Sequence, residues 1–207
     1  MKNTFKFILA FAVVASFAFM KPTSKDPKKV ITVVIDAGHG GNDHGMTVDG
    51  FSEKEIVFLI AQKIKKNNSD KNVIIHLTRT EDEFIALKDR AKFINDLKPN
   101  LVLSLHVNGN ENKEASGVEL YISPKNVSYD VAKNIAEDLN ARLIANHNLK
   151  SRGVKDANFM ILRETIHPSI TVELGFLSNE NDRSYLTNDE QQEKIAATIL
   201  EAISELK

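Results

Sequence analysis

Residues 30–36, VITVVID, form a continuous β-branched run. Such a run reads as a strand covered on both faces, the signature of a parallel sheet sandwiched by helices. It is the first of a series. NVIIHLTR (72–79), LVLSLHVN (101–108), GVELYIS (117–123) and SITVELGF (169–176) share its strand character. Helix-like stretches alternate with them. These are SEKEIVFLIAQKIKK (52–66), ALKDRAKFINDLK (86–98, stopped by Pro99), SYDVAKNIAEDLNARLIANHN (128–148) and the closing NDEQQEKIAATILEAISEL (188–206). This alternation predicts an α/β fold, a mostly parallel twisted sheet of about six strands with helices on both faces. In such sheets the chemistry gathers at the C-terminal ends of the strands.

The first 20 residues stand apart. MKNTFKFILAFAVVASFAFM places Lys2 and Lys6 ahead of an apolar run of 14 residues, Phe7 to Met20. That is short for a membrane span and matches a secretory signal, with Ser16-Phe17-Ala18 as a small-x-small cleavage site. An uncleaved N-terminal anchor is the competing reading. Both send the domain out of the cytoplasm, to a periplasmic or secreted location. Residues 21–29 are polar with two prolines and read as a linker, which leaves 30–207 as one domain. With 42% apolar and 27% charged residues the chain is not of the disordered class. A net charge of -1 offers nothing to grip a phosphate backbone, so nucleic acid is excluded as main partner. With no cysteines, any metal site must draw on His, Asp or Glu.

The first strand runs into GHGGNDHG (38–45). This is neither G-x-G-x-x-G nor a P-loop, and no P-loop lysine follows, so a phosphate cradle fails. Glycines around His39 let an imidazole approach an ion closely, although a strand-capping histidine in a glycine turn fits the loop equally well. His106 ends the third strand in the same way. The acidic candidate lies in SEKE. Ser52 and Glu55 fit a capping box, which leaves Glu53 free to face the His39 loop. Two histidines and one glutamate form the usual donor set of a catalytic zinc with one open position.

The motifs then become specific. IDAGHGGNDHG, EKEIV, LTR, SLHVN, SGVELY, RGVKDANFMILR and SITVELGFLSN occur in order. Together they resemble the zinc-dependent N-acetylmuramoyl-L-alanine amidases of the amidase-3 type, from about Val30 to the C-terminus. The resemblance implies hydrolysis of the amide between N-acetylmuramic acid and L-alanine, with peptidoglycan or muropeptides as substrate. It implies His39, Glu53 and His106 as ligands of Zn2+ and Glu173 as the catalytic glutamate. The family loop is closer to D-P-G-H-G-G-x-D-P-G. Here Ala37 and His44 replace the prolines, and His44 reads as a rim residue rather than a fourth ligand. Some members carry a helix that blocks the zinc until a partner displaces it. Residues 140–151 leave no room for one, so an open site is expected.

On this reading zinc acidifies its water and polarises the carbonyl, and Glu173, kept ionised by the cation, moves the proton. Asn108 and Asn42 are candidates for holding substrate amides. Arg79 and Arg90 read as structural, paired with Asp82 or Glu81. His76, His147 and His167 read as structural or surface residues. Glu119 is either a second cleft carboxylate or a solvated sheet residue, and Phe84, Phe93 and Phe159 read as core. Two rival functions remain open, a zinc peptidase of the stem peptide and a wall-binding module without catalysis.

Overall fold

A computed structural model describes residues 30–206. The expected signal segment and linker lie outside them. Strands β1 (Ile31–Ala37), β4 (Val73–Leu77), β5 (Leu101–Asn108), β6 (Val118–Ile122), β7 (Ser151–Asp156) and β8 (Ser169–Phe176) form one sheet in the order β4-β1-β5-β8-β6-β7. The first four strands in that order run parallel. β6 is antiparallel to β8 and parallel to β7, so the sheet ends in a reversed pair.

Helices α1 (Glu53–Asn67), α3 (Tyr129–His147) and α6 (Asp189–Ser204) pack on one face of the sheet. Helix α2 (Leu87–Leu97) and the short α4 (Met160–Glu164) cover Val34 and Val102 on the other. Cover on both sides explains why β1 and β5 read as unbroken apolar runs. A small helix α5 (Glu180–Leu186) and a hairpin of β2 (Thr47–Val48) and β3 (Phe51–Ser52) complete the described elements. Among the described residues no helix is long and apolar enough to cross a membrane.

α2 stops at Lys98, left-handed at φ 50°, directly before Pro99. α3 stops at left-handed Asn148 (φ 51°), and residues 148–150 alone lead from it into β7. The start of α1 departs from expectation. Ser52 sits at the cap, but its hydroxyl is buried without a hydrogen-bond partner among the described residues, and Glu55 is exposed. No capping box forms, because the preceding loop supplies the acceptors. Glu53 N–H donates to the Met46 carbonyl at 2.8 Å and Lys54 N–H to that of His44 at 3.3 Å.

Candidate active site

The ends of β1, β5 and β8 and the first turn of α1 converge on a cleft of about 350 Å³. Its floor holds His39, Glu53, His106 and Glu173, and Met46, Leu87, Phe159 and Met160 give it an apolar wall.

His39 follows β1 in the left-handed region, at φ 59°. That conformation costs a non-glycine residue about 1–2 kcal/mol and needs outside support. Two guanidiniums provide it by taking the carbonyls of three successive residues. Arg79 donates to Ala37 O (3.1 Å) and Gly38 O (3.2 Å). Arg90 donates to Ala37 O (2.6 Å) and to His39 O. Arg90 is itself held by the buried Asp36 carboxylate at 2.8 Å, which also accepts from Thr78 and Ser104, each at 2.7 Å. Burial alone would raise the Asp36 pKa, but the Arg90 charge and the two hydroxyls hold it below the usual range. Both arginines are structural as expected, through different partners. Asp82 pairs with Lys54 (2.7 Å), while Arg79 touches Glu81 only through a main-chain carbonyl.

Glu53 opens α1 with its side chain buried. Its Oε1 lies 3.1 Å from His39 Nε2, 2.8 Å from His106 Nδ1 and 3.0 Å from the Val107 amide. Its Oε2 accepts from Met46 N at 2.9 Å. The two imidazoles meet edge to face, 5.1 Å apart. One ligand atom from each of His39, Glu53 and His106 falls within a 4.8 Å cluster, a set that could hold a metal ion. Asp43 backs it, with Oδ1 2.9 Å from His39 Nδ1. Burial pulls the His39 pKa down, but the neighbouring carboxylates of Glu53 and Asp43 outweigh it and lift it to about 9. Burial likewise opposes charge on Glu53, yet the two imidazoles drive its pKa far below the carboxylate range.

Glu173 lies beside His106 in the β5–β8 register, and its Oε2 is buried without a hydrogen-bond partner among the described residues. Burial pushes its pKa up to about 7, with His106 opposing and Glu53 and Glu119 assisting. Glu119 faces Glu173 across the β6–β8 register. It is 3% exposed and bonded to Asn108 (2.7 Å), Arg152 (3.0 Å) and Lys155 (2.5 Å), so it is not a solvated sheet residue.

Asn108 lines the cleft, with Nδ2 given to Glu119 and Oδ1 accepting from Gly109 N. Asn42 and His44 are exposed in the loop and outside the cleft lining. His147 is structural, bonded to Tyr185 and Thr198. The three phenylalanines are not core. Phe84, Phe93 and Phe159 are 57%, 38% and 42% exposed, and Phe159 stacks edgewise on Tyr121 at the cleft wall. Asp43 escaped sequence reading. Its one signal is its place four residues after His39 in a glycine-rich loop, a spacing that also suits an ordinary turn.

A profile of the N-acetylmuramoyl-L-alanine amidase family matches residues 33–205. Bacillus subtilis YqiI is 30% identical over 178 residues, 86% of this chain and 85% of YqiI. The N-acetylmuramoyl-L-alanine amidase LytC of the same organism is 32% identical over 177 residues, covering 84% of this chain but 35% of LytC. The crystal structure of an N-acetylmuramoyl-L-alanine amidase from Clostridium difficile 630 superposes with a TM-score of 0.81 at 31% identity, over 86% of this chain and 96% of that one. The chain thus belongs to the N-acetylmuramoyl-L-alanine amidase family, the cell-wall hydrolases that cut the amide between N-acetylmuramic acid and L-alanine in peptidoglycan.

Proposed function

We propose that this amidase is zinc-dependent, with His39, Glu53 and His106 as ligands and Glu173 as general base and acid. The observation that carries the reading is the clustering of His39, Glu53 and His106 donors beside an unpartnered Glu173 oxygen. Two imidazoles and one carboxylate fit zinc, which takes such N/O sets and keeps a position open. Bound there, zinc would make water acidic near pH ~7 and draw charge from the amide carbonyl.

The remaining steps belong to side chains. Glu173 accepts the proton of the attacking water and returns it to the alanine nitrogen as the C–N bond breaks. Burial raises its pKa in the metal-free site, and a bound cation beside it would favour the carboxylate that takes the proton. Asp43 orients the His39 ring from its far side, as carboxylates behind metal-binding histidines do. The apolar wall of Met46, Leu87 and Phe159 excludes water around the scissile bond. Substrate reaches the cleft without prior displacement of a blocking segment. In this reading residues 1–20 direct export and the enzyme acts outside the cytoplasm, where its substrate lies.

The test pairs metal analysis with digestion of purified peptidoglycan. Glu173→Gln should retain zinc and lose nearly all turnover, and a variant that keeps substantial activity refutes the role of Glu173. Mass spectrometry of the wild-type digest should show intact stem peptides and bare glycan. Cut stem peptides would instead indicate a peptidase.

A further inference from the structure

The reversed edge of the sheet carries a group of charges that amide hydrolysis does not use. Glu119, buried in β6, accepts from both Arg152 and Lys155 of β7 through one oxygen, Oε2. The charged heads also lie over aromatic rings. The Arg152 guanidinium lies 4.9 Å over the Phe176 ring and Lys155 Nζ 5.9 Å from that of Tyr121. Their side chains are nonetheless 36% and 41% exposed. Among the described residues, Arg152 bonds only through Nε and Lys155 only to Glu119. Most of their N–H donors therefore face solvent, with two positive charges against one negative.

Their position relative to the reacting groups follows from register. Glu119 pairs with Glu173, and Tyr121 pairs with both Thr171 and Lys155. Paired residues share a face, and Thr171 and Glu173 line the cleft. The cations thus stand on the cleft side, two strands from Glu173, or about 10 Å at the usual strand spacing. An extended peptide advances about 3.5 Å per residue. A chain leaving the scissile bond toward β7 carries the far end of its second residue about 7 Å out, within reach of both long side chains.

We propose that Arg152 and Lys155 form a subsite for a free carboxylate on the second residue of the stem peptide. The proposal rests on the amidase reading and adds a specificity to it. Glu119 is the positioning residue. It fixes the two cations at the spacing a carboxylate bridges, and through Asn108 it ties them to the cleft wall. A stem whose second residue carries a carboxamide instead offers no charge to pair, and loses the preference.

The experiment compares two synthetic muramyl peptides that differ only in carboxylate or carboxamide at residue two. Wild-type kcat/KM should favour the carboxylate by about tenfold, mainly through KM, and the preference should shrink at high salt. Lys155→Met keeps the apolar stem and should remove most of the preference while leaving turnover of the carboxamide unchanged. Lys155→Arg should restore it. Equal cleavage of both substrates by the wild type overturns the subsite but not the amidase activity. Equal losses on both substrates in Lys155→Met also overturn it, by showing a structural role. Release of alanyl peptide from neither substrate overturns the amidase reading, and the subsite with it.

Discussion

Glu173 makes the electrostatics of the cleft measurable without turnover. Burial foremost lifts its pKa from an ordinary 4.5 to about 7 in the metal-free protein. Below about pH 4.5 the carboxyl is protonated in both folded and unfolded chains, so it costs nothing. As pH rises through 7 the unfolded chain has already released the proton that the folded chain still holds, and stability is lost. At 1.36 kcal/mol per pKa unit, the displacement corresponds to about 3 kcal/mol once the pH exceeds 7. Glu173→Gln keeps the shape and removes the titration. Urea unfolding of chelated wild type and variant should show the stability difference growing between pH 4.5 and 8, by up to about 3 kcal/mol in favour of the variant. Added zinc should narrow it, because a neighbouring cation favours the carboxylate. A difference of the same size at both pH values would refute the reasoning, since it would come from amide contacts and not from charge.

Three further outcomes follow from the loop and its supports. Arg90→Met leaves the Asp36 carboxylate buried without its cation. It should cost about 3–5 kcal/mol by thermal or urea denaturation, and adding Asp36→Asn should recover part of the loss. Gly38→Ala would place a Cβ 2.5 Å from the His106 ring, so zinc affinity by competition with a chelating dye should fall at least about tenfold. Gly109→Ala meets only the flexible tip of Met46, which can swing aside, and should change zinc affinity and melting temperature little.

Strands and site residues differed in how openly the sequence displayed them. β1 and β5 were legible because helices on both faces impose an apolar run. β7, SRGVKD, was not. It is an edge strand with no buried residue, so no hydrophobic period marks it. His39 and His106 stood out just past or near the ends of apolar strands, and Glu53 in the first turn of a helix. Glu173 stood out instead as a carboxylate between Val172 and Leu174 inside an apolar strand, and took its role from the family resemblance. The capping box misled because Ser52 and Glu55 satisfy its pattern, whereas the helix amides found carbonyls seven and ten residues back. The arginine partners were hidden for a related reason. Main-chain oxygens leave no trace in composition, and neither does the turn that presents three of them together.

The grip of Arg79 and Arg90 on residues 37–39 bears on how the metal is acquired. A ligand ring parked by side chains rooted beyond β4 and in α2 is in place before any ion arrives. If the site holds zinc as proposed, folding should be complete without metal, and loading should be a reversible event of the finished molecule. Chelation should leave the far-ultraviolet circular dichroism and the cooperativity of unfolding intact. Returning zinc should add stability only by mass action, in contrast with small modules that have no fold until metal binds. On the proposed reading, a chain exported unfolded would assemble first and take up its metal afterwards.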